Sequence, residues 1–177
     1  MSRLSNNCTC RIGEFLVCAE LGRKGLIATP FSSNVPKFDI IVTDEHCRTL
    51  PIQVKASNSN KYNWQTKADQ WMNIEIDDKE KSQIFKGKLK IEEPNLIFVC
   101  VAIKNKPENR DRFFILQKKD IQEICVKLYC NWMDEINWKR PKSYKSLDTR
   151  YQIEDIRKYE DNWDLVIQEL NKKQKTV

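Results

Sequence analysis

The chain has 177 residues, 40% hydrophobic and 32% charged, with 31 Lys and Arg against 25 Asp and Glu for a formal net charge of +6. That length suits one domain with a real core. No stretch approaches the ~20 apolar residues of a membrane-spanning helix, and with 4 glycines neither a G-x-G-x-x-G turn nor a P-loop is present.

The single histidine, His46, excludes catalytic schemes that need two, and it falls in a polar turn where a solvated side chain is expected. The mild positive charge permits a polyanionic partner without requiring one. The first eight residues lack the apolar centre of a signal peptide, so a cytoplasmic location is expected. Cysteines at 8, 10, 18, 47, 100, 125 and 130 are odd in number, which argues against a disulfide framework, and the C-x-C at 8 and 10 has no second pair to complete a zinc site.

Residues 12–24 are predicted to be a helix stopped by Gly25. Glu14 lies on a stripe with Val17, Cys18 and Leu21, so its carboxylate points into the apolar arc, where it needs a cation, a metal or hydrogen-bond donors. Three extended segments follow at 26–31, 37–43 and 49–56, the last two joined by the short polar hairpin connection 44–48. Residues 57–70 read as a polar loop, 71–76 as a short strand, and 77–94 as an exposed lysine-rich stretch. The almost wholly apolar run 96–103 marks a central strand covered on both faces. A strand at 112–116, a helix at 120–134, a basic loop at 137–150 and a last amphipathic helix at 151–171 complete the chain. The expected fold is α/β, a mixed central β-sheet flanked by helices.

Strand alternation puts Asp39 on one face with Ile41 and Thr43, and Gln53 and Lys55 on one face of the next strand. Closing the hairpin at 44–48 makes paired positions sum to about 92–94, so Asp39 lies opposite residues 53–55 and an acid, an amide and a lysine converge. Asp39 and the Gln53 side-chain oxygen are hard ligands of the kind Mg²⁺ or Mn²⁺ takes, and the backbone carbonyl of Val54 between them adds a third. Lys55 suits steering of a water or neutralising charge on a phosphate, and Glu14, covering the same face, suits holding a metal-bound water. No small-molecule organic cofactor is called for. Against this stand plainer readings: Asp39 as a turn cap, or Asp39 and Lys55 as a structural ion pair.

These residues resemble the PD-(D/E)XK nuclease superfamily, which includes restriction endonucleases and archaeal Holliday-junction resolvases. The likeness runs from about residue 10 to 57, through Gly13-Glu14, Phe38-Asp39-Ile40-Ile41-Val42 and Gln53-Val54-Lys55. It implies a restriction-endonuclease-like domain over 1–177 with a C-terminal helical extension at about 118–171, and Mg²⁺-dependent hydrolysis of DNA phosphodiester bonds by Glu14, Asp39, Gln53 and Lys55. The family's usual second acid is Gln53 here, which removes one negative charge from the site. DNA is the expected partner, a membrane is not, and a homodimer is left open.

Ser57, Lys61, Tyr62 and Lys67 follow the motif strand and are the candidate nucleic-acid contacts, with Trp64 and Trp71 as either stacking platforms or core residues. The second basic run, Lys139 to Arg150, reads as a solvated loop rather than a DNA arm. Two other functions remain in view: a catalytically inactive nucleic-acid-binding domain of the same fold, and an unrelated partner-binding α/β protein.

Overall fold

The computed structural model describes residues 5–31, 37–59, 62–104, 106 and 108–173. Helix α1 (Asn6–Arg23) begins on Ser5, whose hydroxyl accepts from the Cys8 N–H at 3.2 Å. It ends in a Schellman turn: Gly25, at φ +80°, donates to the Gly22 carbonyl, and Leu26 donates to Leu21 at 3.1 Å. The left-handed backbone there is what Gly25 supplies.

Strands β1 (Ile27–Pro30), β2 (Ile40–Thr43), β3 (Thr49–Ser57), β7 (Ile97–Ala102) and β8 (Arg112–Gln117) form the main sheet in the order β1-β2-β3-β7-β8. Only the β3–β7 pairing is parallel, so the sheet is mixed. All six residues of β7 are buried, as its unbroken apolar run requires of a strand covered on both faces.

Two apolar layers cover that sheet. Val17 and Leu21 of α1, with Trp163, Val166 and Leu170 at helix α4 (Asp164–Lys172), pack against Ile40, Val42, Ile52 and Val54. On the opposite face helix α2 (Lys118–Glu135) sets Ile121, Cys125, Tyr129 and Met133 against Phe98, Cys100, Phe114 and Leu116. Helices therefore flank both faces of the mixed sheet, as the element pattern predicts. No helix among the described residues is long and apolar enough to cross a membrane.

The structure corrects the sequence reading in four places. Helix α1 begins at Asn6, six residues before the expected start at 12. Residues 57–70 contain strand β4 (Asn63–Lys67) and a 3₁₀ turn at Ala68–Gln70. The stretch 77–94 carries strand β6 (Ser82–Lys88), which pairs with β5 (Met72–Asp77). The single helix predicted over 151–171 is instead the end of strand β9 (Asp148–Gln152), a short helix α3 (Ile153–Ile156), a 3₁₀ turn at Arg157–Tyr159 and then α4. Asp161 breaks it with a φ of +53°. Strands β4 and β9 pair with each other in a separate two-stranded ribbon.

Candidate active site

Asp39 is pinned by its own backbone before its side chain does anything. Its N–H donates to the Ile52 carbonyl at 2.9 Å, and its carbonyl accepts from the Phe31 N–H at 3.0 Å, so both neighbouring segments hold it. Its Oδ2 then accepts the Val54 N–H at 2.7 Å. The carboxylate thus sits at the fork just before β2 begins, where β3 runs on past it.

The register Ile40↔Ile52 sums to 92, which puts Asp39 opposite Gln53 as the hairpin arithmetic predicts. Ile40, Val42, Ile52 and Val54 belong to the layer under α1, so Asp39, Gln53 and Lys55 point to the other side of the sheet. Gln53 Nε2 donates to Asp39 Oδ2, and it lies 3.4 Å from the Val54 carbonyl oxygen. Lys55 is exposed.

Glu14 arrives from the opposite side. Gly13 packs so tightly on β3 that a Cβ there would lie 2.5 Å from Ala56 Cβ. The expectation that Glu14 covers the face carrying Gln53 and Lys55 is therefore corrected, because α1 lies on the face of Val54 and Ala56. Glu14 still lines the same cleft of about 600 Å³ as the other three. It is 8% exposed, and its Oε2 accepts from Arg11 at 2.8 Å.

Arg11 is the residue the sequence reading missed. The same guanidinium nitrogen donates to the Phe31 carbonyl at 2.5 Å, tying α1 to the segment that leads toward Asp39. The spacing to Glu14, three residues on one helix, was the available signal. Burial pushes the Asp39 carboxyl above its ordinary range, against the opposing pull of the Val54 N–H, Lys55 and Arg11. A half-buried carboxylate holds its charge at a cost that a bound cation would relieve.

Asp39, the Gln53 amide and the Val54 carbonyl are oxygen-bearing groups that could hold a hard cation. Asp39 Oδ2 and the Val54 carbonyl oxygen both face the Gln53 amide, and a half-turn of that amide would present its oxygen beside them. No group of three or more His, Cys, Asp or Glu gathers among the described residues. A cation held here would take oxygen from one sheet carboxylate, one amide and one carbonyl, with Glu14 nearby, which suits Mg²⁺ or Mn²⁺ and does not suit Zn²⁺.

The candidate nucleic-acid contacts divide. Ser57 is buried in the cleft wall, its hydroxyl 3.1 Å from that of Ser59. Tyr62 is half-buried against the α2-side core. Lys67 is exposed at the far end of β4, outside the cleft lining, and Lys61 lies outside the described residues. Trp64 and Trp71 are core residues, 4% and 6% exposed, with Trp64 Nε1 donating to the Lys55 carbonyl at 2.8 Å. In the second basic run, Lys139 pairs with Glu80, Lys145 pairs with Asp78, and Arg140 donates to the Ser146 and Asp148 carbonyls, so these charges are used within the fold.

No protein-family model and no curated protein matches the sequence. Among solved structures the chain is similar to a bacterial homing endonuclease, I-Ssp6803I, with a TM-score of 0.56 and 11% identity over 98% of this chain and 100% of that one. At that identity the likeness is one of fold.

Proposed function

We propose that the protein is a metal-dependent endonuclease of the PD-(D/E)XK type, hydrolysing DNA phosphodiester bonds. One observation carries the reading: Glu14 of α1, Asp39 just before β2, and Gln53 and Lys55 of β3 line a single cleft at the fork of β2 and β3. The shared fold with a homing endonuclease agrees with it.

In this reading Asp39, Gln53 and the Val54 carbonyl would hold Mg²⁺, with Glu14 lining the same cleft. The cation supplies charge neutralisation at the phosphate and a lowered pKa for an attacking water. The chain's own groups do the rest. Lys55, exposed on the cleft face, places an ammonium where it orients that water and offsets negative charge developing on the phosphate oxygens. Arg11 holds the Glu14 carboxylate by a 2.8 Å ion pair, which fixes its direction.

A second reading rests on Gln53. With an amide where a second acid would complete the site, and with that amide already bonded to Asp39, the domain would bind DNA without cutting it. Purified protein incubated with supercoiled, linear, branched and single-stranded DNA in Mg²⁺ or Mn²⁺ separates the two. Metal-dependent strand breakage supports the nuclease. Binding with no breakage under either metal supports the second reading.

A further inference from the structure

The β4–β9 ribbon has two unlike faces. Inward, Trp64 and Tyr151 stack at 5.6 Å between ring centroids and 20° between planes, both nearly fully buried. Outward, the register pairs Asn63 with Gln152, Gln65 with Arg150 and Lys67 with Asp148. Two of these six are engaged locally: Asp148 accepts from the Ser146 hydroxyl, and Gln152 is held at the start of α3. Among the described residues, no hydrogen-bond or ion-pair partner meets the side chains of Asn63, Gln65, Lys67 or Arg150, and Gln65, Lys67 and Arg150 are exposed.

We propose that this ribbon enters the DNA major groove and reads base edges, with Gln65 and Arg150 as the principal specificity residues; the proposal rests on the reading that the cleft acts on DNA. Three features favour it. First, a two-stranded antiparallel ribbon fits the groove, which is about 12 Å wide, and Gln and Arg are the side chains that pair bidentately with adenine and guanine there. Second, the outward face carries three amides, a guanidinium, an ammonium and one carboxylate with no apolar centre, unlike a protein-docking surface. The deep, narrow major groove of an RNA duplex would not admit it. Third, the ribbon continues from the cleft, since Asn63 and Gln65 line it, and Trp64 Nε1 is bonded to the carbonyl of Lys55. The reading face is thus fixed to the strand that carries the chemistry.

The dimensions agree. From Asn63 to Lys67 the strand advances ~14 Å at ~3.4 Å per residue, the length of about four base-pair steps of 3.4 Å. Gln65 and Arg150 are direct cross-strand partners, so they would address the same or neighbouring base pairs. Each is expected to supply about 5- to 150-fold discrimination at its position.

The test is selection from randomised duplex DNA by the full-length protein in Ca²⁺, followed by sequencing of the retained DNA. Wild type is expected to enrich a motif. Gln65→Ala should lose preference at an adenine position and Arg150→Ala at an adjacent guanine, with the rest of each motif retained. Arg150→Lys should lose the guanine as well, because it keeps the charge but not the bidentate fork. All three should melt with wild type, since the side chains they change are exposed and unpartnered. A wild type that enriches no motif, or variants that all enrich the wild-type motif, would overturn the proposal. Plasmid cleavage in Mg²⁺, run beside the selection, separates this from the function above. Cleavage with an unaltered motif removes the ribbon reading alone, and a ribbon-dependent motif without cleavage removes the nuclease alone.

Discussion

Gly13 offers a test in which the sign of the effect decides. Alanine is the better helix former by about 1 kcal/mol in a helix interior. On local grounds Gly13→Ala should therefore stabilise α1. The structure reverses that expectation, because the new Cβ would lie 2.5 Å from Ala56 Cβ and 3.6 Å from Val54 Cγ1. Ala56 has no rotatable side chain to swing aside, so the helix and strand must part by ~1 Å to reach ordinary carbon contact near 3.5 Å. Overpacking of this kind costs about 1–3 kcal/mol, and two carbons fixed to backbone belong in its upper half. Set against the propensity gain, the net loss is about 1–2 kcal/mol. For a chain of this size that lowers Tm by about 2–8 °C. Thermal unfolding followed by circular dichroism, on Gly13→Ala, Ala56→Gly and the double variant, reads the effect. The double variant should recover stability beyond additivity, with a coupling of about 1 kcal/mol or more. A Tm that rises in Gly13→Ala, or strictly additive variants, would refute the close approach that brings Glu14 to the cleft.

Three further outcomes follow from the site. Burial raises the Asp39 carboxyl, so the folded state binds its proton more readily than the unfolded chain does. The stability it contributes is present below the unfolded pKa and lost as pH rises through the folded one. Asp39→Asn should accordingly raise Tm at neutral pH, with the gain shrinking as pH falls through the carboxylate range, while removing metal-dependent cleavage. Gln53→Glu replaces the donor to Asp39 with a second carboxylate, so in EDTA its Tm should fall below wild type. Its Tm gain on adding Mg²⁺ should be larger, and half-maximal cleavage should need less metal; a metal titration matching wild type would remove Gln53 from the site. Lys55→Ala should slow single-turnover cleavage by about 10²–10³-fold with DNA affinity nearly unchanged, because its proposed role lies in the transition state.

The main sheet and the fork were legible because their residues answer to simple periodicities. The unbroken run at 96–103 is a buried strand, and the polar link 44–48 fixes a register in which Asp39 meets Gln53. Glu14 betrays its burial by sharing a stripe with Val17 and Leu21. The β4–β9 ribbon was not legible, because each strand buries little: Trp64 in one and Tyr151 in the other, with amides and charges alternating around them. Five residues with one large apolar side chain read as loop on their own, and only their pairing across the chain makes them a sheet. The last helix was overextended because Ile153 and Ile156 continue an apolar spacing into α4. The break at Asp161 rests on a positive φ that a periodicity does not reveal. Arg11 lies one residue before the helix expected at 12–24, which hides its spacing to Glu14, and its second partner, the Phe31 carbonyl, is a tertiary contact.

In the proposed function the cleft at the β2–β3 fork cuts DNA through Asp39. Supercoiled plasmid incubated with purified wild type and Asp39→Ala, in Mg²⁺ and in EDTA, tests it most directly. Nicked or linear product is expected from wild type in Mg²⁺ alone, and none from Asp39→Ala, because among the described residues no other sheet carboxylate lines the cleft. Cleavage retained by a folded Asp39→Ala protein, or an intact plasmid after incubation with wild type in Mg²⁺, would contradict it.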